Sequence, residues 1–374
     1  MRLTFVITSL ERGGAERTLS ALAGALSHEG NEITVVVFDH QPAQSYPLDP
    51  GVRLHSLGVT NGFAENLRQA IVRNLRRLVR LRRAIQESNP DIVISFMDYT
   101  NVVTLLSSRG LRVPIVITEH ANPDYAPLRA PWQALRRWLY PHASMLVCPT
   151  AHMAMLLSER FGVPGRSIPN PVGPIPGQSH ENITGRTDRV ALGMGRLTEE
   201  KGFDLLLHAF ARVAPRHPDW RLMIVGKGPL REQLEAQARM LGLDGKVTFT
   251  GELVDPFAAF RAADLFVFSS RFEGFGNALV EALACGLPAI SFDCVAGPSE
   301  IIRDGEDGII VPRDDVAALA KAIDRLMSDP ELRAKLGHRG PEVLTRFSLN
   351  RVIGLWNAAF EDVRSANRVA RKST

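Results

Sequence analysis

Short apolar runs rich in Val, Ile and Phe alternate with segments of helical periodicity throughout the chain. This alternation is typical of βαβ units and of a parallel sheet, so it predicts the α/β fold class. Two series of strands are expected. The first comprises Leu3–Thr8, Ile33–Phe38, Ile92–Phe96, Ile115–Thr118 and Met145–Cys148, and the second comprises Val190–Met194, Arg221–Val225, Val247–Thr250, Leu265–Phe268 and Ala289–Phe292.

A segment rich in proline and glycine, Ile168–Gly177, separates the two series and leads into a polar stretch without periodicity, as a linker would. The chain has 374 residues, enough for two domains at roughly 100–200 residues each. We therefore predict two doubly wound Rossmann-like domains that face one another across a cleft. The predicted boundaries are 1–168 for the N-terminal domain, 169–188 for the linker, 189–349 for the C-terminal domain, and 350–374 for a helix and tail that can pack on either domain, including back on the N-terminal one.

Charge, cysteine spacing and hydropathy exclude several classes of function. The net charge of +4 is too small for a protein that coats nucleic acid. Its excess lies in the first half, because residues 1–168 hold 18 arginines, no lysine and 13 acidic residues. Cys148, Cys285 and Cys294 are too widely spaced for a disulfide framework or a metal cluster, which fits a reducing cytoplasm. No uncharged apolar run approaches a membrane span, so any membrane contact is expected to be peripheral.

Loops that follow strands are the first place to look for a site, because open α/β sheets bind ligands beyond the carboxyl ends of their strands. Gly13 and Gly14 follow the first strand and open a helix, where the backbone can approach an anion. A simple tight turn is the alternative. Arg196 and Lys201 share one loop in the second half, and two fixed cations there suit a diphosphate. Solvated surface charges are the alternative for this pair.

The most specific segment contains two glutamates. Glu273 lies in a glycine-punctuated loop, and Glu281 follows eight residues later, about one turn into a helix that starts near Asn277. Two carboxylates would then face one ligand, with the amides of Asn277 and Ala278 between them for an anion. Carboxylates accept hydrogen bonds from hydroxyls, so sugar and ribose hydroxyls are natural partners. The alternative is a structural Glu281 paired with a neighbouring cation.

Together these segments resemble the retaining glycosyltransferases of family 4, which have the two-domain GT-B fold. The resemblance covers nearly the whole chain and rests on Gly13–Gly14, the loop with Arg196 and Lys201, and the E-x7-E pattern from Glu273 to Glu281. It implies that Glu273 contacts donor-sugar hydroxyls, that Glu281 binds the ribose, and that the two cations hold the diphosphate. The donor-binding residues so implied also include Gly13, Gly14, Gly274, Phe275, Gly276, Asn277 and Ala278.

The same resemblance implies the chemistry. A UDP-sugar is the donor, no cofactor is required, and the D-x-D metal motif of the other major transferase fold is absent from the chain, in agreement with a metal-independent reaction. Stabilisation of the leaving diphosphate carries most of the catalysis. A lone histidine is more often structural, but the resemblance implies that His120 lies near the donor sugar. The implied catalytic residues are His120, Glu273, Arg196 and Lys201.

Residues 66–85 hold seven arginines and no acidic residue. At helical pitch, the apolar positions from Leu67 to Ile85 form one stripe and the arginines cluster on another arc. Such a helix can pack on its domain while it presents cations to anionic lipid or to a pyrophosphate-linked acceptor. A solvated helix face is the alternative. Our candidates for acceptor contact are Arg73, Arg76, Arg77 and Arg80.

A second segment, Leu128–Tyr140, combines tryptophans with arginines and suits a membrane surface, although a partly buried helix is the alternative. With the segments Ile94–Asn101 and Glu119–His120, it makes the chain similar to bacterial transferases that add N-acetylgalactosamine or related sugars to undecaprenyl-diphosphate-linked oligosaccharides. The residues concerned in Leu128–Tyr140 are Arg129, Trp132, Arg136, Arg137 and Trp138.

The predicted function is transfer of a hexose or N-acetylhexosamine from a UDP-sugar to a lipid-linked oligosaccharide during surface polysaccharide or glycan assembly. The enzyme is expected to be cytoplasmic and peripherally associated with the anionic inner face of the cell membrane. Two other functions stay open: a sugar-nucleotide epimerase or hydrolase on a similar fold, and a catalytically silent membrane- or polysaccharide-binding protein. The donor sugar, the choice of UDP or GDP, and the acceptor linkage are also open.

Overall fold

The computed structural model of the chain describes residues 1–11, 13–39, 46–59, 67–125, 128–173, 175, 188–295 and 297–372. Contacts divide the chain into two compact units, Met1–Pro171 with Leu349–Thr374, and Val172–Ser348. Most of the predicted linker, residues 176–187, lies outside the described residues. The C-terminal segment, which the sequence allowed on either domain, belongs to the first unit.

Each unit is built on one parallel sheet. The first has the order β3-β2-β1-β4-β5-β6-β7 and the second β10-β9-β8-β11-β12-β13. In the first unit the strands are β1 (Arg2–Ile7), β2 (Glu32–Val37), β3 (Val52–Ser56), β4 (Ile92–Phe96), β5 (Ile115–Thr118), β6 (Met145–Cys148) and β7 (Gly165–Ser167). In the second they are β8 (Arg189–Met194), β9 (Trp220–Val225), β10 (Val247–Gly251), β11 (Leu265–Phe268), β12 (Ala289–Phe292) and β13 (Gly308–Val311).

The predicted α/β architecture with parallel sheets is confirmed, and the ten predicted strands are all present. Three observed strands, β3, β7 and β13, were not predicted, and each lies at the edge of its sheet. Central strands of a parallel sheet are covered on both faces and read as apolar runs. An edge strand needs less apolar cover, as in β3, where only Val52 is buried.

Helices connect the strands on both sides of each sheet. Within the described residues they are α1 (Gly14–His28), α2 (Leu67–Ser88), α3 (Asp98–Ser107), α4 (Ala130–Leu139), α5 (Ala151–Phe161), α6 (Phe203–Val213), α7 (Arg231–Met240), α8 (Pro256–Arg261), α9 (Asn277–Ala284), α10 (Pro298–Ile301), α11 (Val316–Ser328), α12 (Pro330–Arg339), α13 (Val343–Arg346) and α14 (Leu349–Lys372). Short 3₁₀ turns occupy Tyr140–His142, Glu199–Lys201, Ala214–Arg216 and Gly340–Glu342. Among these helices, none combines the length and apolar character needed to cross a bilayer.

The C-terminal helix α14 is part of the first unit's core. Val352, Trp356 and Phe360 are buried in the same apolar cluster as Leu19 and Leu22 of α1. These side chains recur at helical spacing along α14, so one face of the helix is apolar and must be covered. Burial of such large side chains stabilises the packing by about 1.5–3 kcal/mol each.

Candidate active site

Two predicted donor-site residues meet in the second unit where its strand order reverses. β8 and β11 are neighbours in the sheet, and helices leave them in opposite directions, which opens a crevice at their carboxyl ends. Lys201 follows β8 and Glu273 follows β11. Lys201 Nζ lies 2.6 Å from Glu273 Oε1, and the side chains are 18% and 10% exposed. Ser270 Oγ donates to the same carboxylate oxygen at 2.6 Å, so two donors fix the carboxylate.

A second ion pair ties the two loops together. Arg271 Nη1 and Nη2 donate to the two carboxylate oxygens of Asp204 at 2.8 and 2.6 Å. The Arg271 amide donates to Glu200 O at 2.8 Å, and Ser269 Oγ donates to Lys201 O at 2.9 Å. A bidentate arginine pair gives geometric definition as well as energy. This brace was not predicted from the sequence, although Arg271 lies two residues before Glu273.

Glycine makes the close approach of these loops feasible. Gly202 has φ +60°, and a Cβ there would lie 2.1 Å from Ser269 O. In the neighbouring loop, Gly226 has φ +143°, and a Cβ would lie 1.9 Å from Gly195 O. Both positions therefore demand glycine for conformation and for space.

Arg196 is placed differently from Lys201. Its side chain is 77% exposed, and Arg196 Nη2 lies 3.2 Å from Glu200 Oε1. An exposed pair of this kind contributes little to stability. The guanidinium can therefore exchange Glu200 for an anionic ligand at small cost, whereas Lys201 is already held in place.

The loop after β11 leads into α9 through Gly276, which has φ +110°. Asn277 and Ala278 form the half-buried first turn of that helix, and Glu281 is buried one turn further on. The ring of Phe275 packs edge-on against Phe347 at 5.5 Å in the core. Phe275 therefore offers a ligand its backbone and not its side chain.

The first unit places His120 just beyond β5. Its ring stacks on Phe96, with centroids 5.5 Å apart and planes 16° apart, and His120 Nε2 lies 3.1 Å from Thr118 Oγ1. Burial lowers the pKa of His120 to about 4. At neutral pH the imidazole is therefore uncharged, with one donor and one acceptor nitrogen.

Next to His120 lies a buried polar network that the sequence analysis did not identify as a unit. Glu119 is 2% exposed and accepts a hydrogen bond from the Tyr140 hydroxyl. Asn101 Nδ2 donates to Tyr140 Oη at 3.2 Å and to Thr118 O at 2.9 Å. Burial raises the pKa of Glu119 to about 8, so this carboxyl group is largely protonated at pH 7. One feature of the sequence could have pointed to this network. Asn101, Glu119 and Tyr140 belong to the three segments on which the resemblance to bacterial transferases rests.

Gly13 and Gly14 lie where the first strand leads into α1, with Gly14 as its first residue. Gly13 is extended, with φ −171°, a conformation that any residue adopts. A Cβ on Gly13 would meet the carboxyl end of the Glu16 side chain, which is flexible. The tight-turn interpretation therefore does not explain a glycine at position 13.

The prediction for the arginine-rich helix needs a correction. Arg77, a candidate for acceptor contact, is only 8% exposed, and its Nη1 donates to Tyr99 Oη at 2.9 Å. Leu75, assigned to the packed stripe, is 55% exposed. The buried arc of α2 is rotated toward Arg77 and away from Leu75, because Leu81, Ala84 and Ile85 set the packed face.

The remaining candidates on α2 divide into two groups. Arg80 Nη1 donates to Leu57 O at 2.7 Å and to Gly58 O at 3.0 Å, which anchors the helix to the segment after β3. Arg76 is exposed and Arg73 is half-buried. The packing thus uses Arg77 and Arg80 within the unit and leaves the Arg76 side chain at the surface.

The aromatic and basic segment also needs a correction. Arg136 was expected at a membrane surface but is buried in α4, with its guanidinium 5.4 Å from the Phe161 ring centroid. Trp132 packs edge-on against Tyr99 at 4.6 Å. Trp138 is exposed and lies under Arg109, 4.3 Å from ring centroid to guanidinium carbon. The partly buried helix, which was the alternative, describes most of this segment.

In the part of the chain that the structure describes, no three His, Cys, Asp or Glu side chains are grouped so as to hold a metal ion. The polar side chains beyond the carboxyl ends of the strands thus form an ion pair in the second unit, Lys201 with Glu273. In the first unit the side chains of His120 and Glu119 are mostly uncharged at neutral pH.

Comparison with known families assigns both halves of the chain. Residues 12–174 match Glycosyltransferase Family 4, and residues 178–343 match Glycosyl transferases group 1. A GalNAc-α-(1→4)-GalNAc-α-(1→3)-diNAcBac-PP-undecaprenol α-1,4-N-acetyl-D-galactosaminyltransferase of Campylobacter jejuni is 29% identical over 98% of this chain and 100% of that protein. The lipopolysaccharide core biosynthesis glycosyltransferase LpsD of Rhizobium meliloti is 30% identical over 90% of this chain and 91% of its own length.

Solved structures share the architecture. Sucrose-phosphate synthase from Thermosynechococcus elongatus superimposes with a TM-score of 0.80 at 19% identity, covering 97% of this chain and 99% of that one. Anabaena Alr3699/HepE, solved with UDP and glucose, gives 0.78 at 20% identity over 96% and 99%. At such identities the likeness shows the fold alone, two parallel-sheet domains of the GT-B type. The matches in sequence, including LpsD at 30% identity, show that the chain belongs to glycosyltransferase family 4.

Proposed function

We propose that this glycosyltransferase moves a hexose or N-acetylhexosamine from a UDP-sugar to an undecaprenyl-diphosphate-linked oligosaccharide, with retention of anomeric configuration and without a metal ion. The observation that carries the donor side is the Lys201–Glu273 pair, 2.6 Å apart at the strand reversal of the second unit. The acceptor side is supported by the name of the Campylobacter relative, an N-acetylgalactosaminyltransferase whose substrate is an oligosaccharide on diphosphate-linked undecaprenol.

The donor site works by electrostatics. As the bond to the sugar breaks, negative charge grows on the leaving diphosphate. Lys201 is mostly buried, and a fixed cation in a partly desolvated site stabilises such charge more than a solvated one does. Arg196 supplies a second, exposed cation, and the N-terminus of α9 favours the anion further. These groups replace the charge that a metal ion would otherwise provide.

Glu273 then holds the sugar. Its Oε1 is engaged by Lys201 and Ser270 at 2.6 Å each, which fixes the position of that oxygen. A carboxylate accepts hydrogen bonds at both of its oxygens, so Oε2 can accept from a sugar hydroxyl. Orientation of the donor in this way lowers the barrier by placing the reacting carbon.

The first unit contributes uncharged groups. Because burial lowers the pKa of His120 to about 4, its imidazole takes part in the proposed reaction as a neutral hydrogen-bonding group and not as a cation. The neighbouring carboxyl of Glu119 is held by Tyr140 and stays protonated at neutral pH. We assign His120 to the donor sugar and leave the Glu119 network as its support.

In the proposed function, one exposed arc of α2 faces the membrane. Val72, Leu75 and Val79 are exposed there, 47%, 55% and 58%, and Arg76 and Arg83 are exposed on the same side. Apolar side chains flanked by arginines are typical of helices that lie in an anionic membrane interface. On this surface the exposed Arg76 and the half-buried Arg73 are our candidates for the acceptor diphosphate, whereas Arg77 is buried and Arg80 donates to backbone carbonyls.

A donor screen tests the proposed function. The protein is incubated with UDP- and GDP-linked hexoses and N-acetylhexosamines and with undecaprenyl-diphosphate oligosaccharides in vesicles, and the glycolipid is read by mass spectrometry. We expect one UDP-sugar to extend the glycolipid, no effect of EDTA, and release of the new sugar by the glycosidase specific for the donor's own anomer.

Three results would contradict parts of this proposal. Consumption of nucleotide sugar without a glycolipid product favours the epimerase or hydrolase. A strict requirement for GDP-sugars overturns the UDP assignment. Release by the glycosidase for the opposite anomer overturns retention. Lys201→Ala tests the role of the mostly buried lysine in the same assay, and Lys227→Ala is its matched control. Lys227 also pairs with a glutamate, Glu252, at 2.6 Å, but it is 76% exposed.

A further inference from the structure

The first unit contains a cavity at the end of its sheet opposite to His120. Arg2 opens β1, Asp91 immediately precedes β4, and Val113 lies two residues before β5, so the cavity lies at the amino ends of these strands. Its volume is about 500 Å³, and the C-terminal part of α14 forms one wall. Volumes of this order hold small organic ligands.

The lining of this cavity is strongly basic. Four arginines, Arg2, Arg112, Arg364 and Arg368, line it with a single carboxylate, that of Asp91. Arg2 Nη2 lies 3.5 Å from Asp91 Oδ1, and the Arg2 amide donates to Asp91 Oδ2 at 2.8 Å. The one acidic group of the lining is thus already engaged by Arg2, and the cavity retains a formal excess of three positive charges.

The arrangement on α14 is unfavourable without a counter-charge. Arg364 and Arg368 are four residues apart on one helix, where like charges lie close together and repel one another. Both line the same cavity, and Asn367 between them adds an amide. An anion bound between the two guanidinium groups would remove the repulsion and accept several charge-assisted hydrogen bonds.

We propose that this cavity binds a soluble anion that carries a diphosphate group, such as inorganic pyrophosphate or a nucleoside diphosphate. The excess of three positive charges matches a diphosphate better than a carboxylate or a single phosphate monoester. Ile85 and Leu111 give part of the lining an apolar character, which accommodates an organic portion. Because the walls come from α14 and from the amino ends of β1, β4 and β5, the ligand fastens the C-terminal helix to the first unit. This site is independent of the proposed donor site.

Calorimetric titration with inorganic pyrophosphate tests the proposal on the full chain. Every protein in the series carries Arg196→Ala and Lys201→Ala, which remove both side-chain cations of the proposed donor site, so that this site contributes little to the signal. Arg364→Gln with Arg368→Gln is expected to raise the Kd about tenfold or more, because both charge-assisted donors on α14 are lost. The control, Arg239→Gln with Arg325→Gln, removes two exposed arginines from helices of the second unit and should leave the Kd within about twofold.

Two further measurements keep the proposal open to refutation. Asn367→Asp keeps both arginines but adds a negative charge to the lining, so it should also weaken pyrophosphate binding. It provides the test if the double variant fails to fold. Hydrogen exchange should show that pyrophosphate protects residues 85–91 and 364–368. Unchanged affinity in the folded double variant or in Asn367→Asp, or no protection of these segments, would overturn the proposal.

A lipid headgroup offers similar phosphate chemistry, and vesicles separate the two sources. Vesicles of phosphatidylglycerol and phosphatidylcholine are sedimented with the same proteins. We expect Arg364→Gln with Arg368→Gln to leave vesicle binding unchanged. If this variant loses vesicle binding while its affinity for pyrophosphate persists, the cavity is a lipid contact and the soluble ligand is ruled out.

Discussion

The two units place polar side chains at equivalent edges of similar parallel sheets, yet the electrostatics of the two clusters differ. In the second unit the cluster is ionic, with Lys201, Glu273 and the Arg271–Asp204 brace. In the first unit Glu119 is buried, and burial is the main cause that raises its pKa to about 8 and lowers the pKa of the neighbouring His120 to about 4. The same topology therefore yields a charged site where opposite charges meet and a neutral one where desolvation prevails.

We infer that the two units have different roles in the proposed reaction. In the proposed reaction the leaving diphosphate needs fixed positive charge, which Lys201 of the second unit would supply. Hydroxyl groups of a sugar need hydrogen-bonding partners whose protonation does not change with small shifts in pH, and the His120 imidazole stays neutral throughout the physiological range. Substitutions that exchange or remove these properties can break the comparison.

The largest effect is expected for Lys201→Ala. Loss of this mostly buried cation should lower kcat/KM for glycosyl transfer by about 10²–10³-fold, the usual cost of removing one preorganised electrostatic group. Lys227→Ala, which removes the exposed lysine of a similar pair, should lower it less than about threefold. Initial rates with the donor found in the screen provide the measurement. Equal losses in the two variants would mean that the charged cluster has no special role.

The next largest effect concerns the loops themselves. Gly226→Ala should destabilise the second unit by about 3 kcal/mol, because the new Cβ would overlap Gly195 O and the backbone is in a region that favours glycine. Gly13→Ala should change stability by less than about 1 kcal/mol, since only the Glu16 side chain must move. Urea unfolding measures both. A large loss for Gly13→Ala would show that the first unit's loop is as tightly constrained as the second's.

Glu119→Gln tests the neutral cluster through pH. The pKa of Glu119 in the folded chain, about 8, lies above its usual value. Between about pH 5 and 8 the unfolded chain releases a proton that the folded chain retains. Stability from this residue is therefore full at low pH and falls as pH rises, by up to about 1.4 kcal/mol per pH unit.

Glutamine keeps an oxygen that accepts from the Tyr140 hydroxyl but does not titrate. Unfolding of Glu119→Gln should thus depend less on pH across this window than unfolding of the wild type. Glu159→Gln, at an exposed position of α5 in the same unit, should retain the wild-type slope. An unchanged slope in Glu119→Gln would mean that Glu119 is ionised in the folded protein.

The smallest effect is expected at the surface of α2. Leu75→Ser with Val79→Ser should weaken binding to vesicles rich in phosphatidylglycerol by about three- to tenfold, because two exposed apolar side chains no longer enter the interface. The matched control, Met240→Ser with Val254→Ser, alters exposed apolar residues of the second unit. Co-sedimentation provides the measurement. If both double variants bind vesicles equally weakly, the surface of α2 has no special role in membrane binding.

Prediction from sequence succeeded where one local pattern carries the information. Every predicted central strand is present because burial on both faces requires an apolar run. The missed strands β3, β7 and β13 lie at sheet edges, where that requirement is relaxed. Lys201 and Glu273 lie in loops that follow strands, and the structure brings them within 2.6 Å, while their role in donor binding stays a prediction.

Prediction failed where a side chain's role depends on partners far away in sequence. Arg77 and Arg136 belong to basic segments that favour a surface, yet both are buried. The packed face of α2 is set by the sheet beneath it, and a shift of that face by part of a turn moved Arg77 inside and Leu75 outside. Periodicity gives the angles between positions on a helix but not which angle faces the core.

The sequence by itself determined the α/β class, the two strand series and the loops that carry charged donor-site candidates, because periodicity, glycine and strand ends are local properties. Only the tertiary structure decided which charges meet, which are neutralised by burial, and that α14 completes the first unit. Those outcomes depend on desolvation and on contacts between residues as far apart as Lys201 and Glu273 or Leu22 and Trp356. No local pattern encodes the distance between such residues, since the intervening chain fixes it only once both cores have packed.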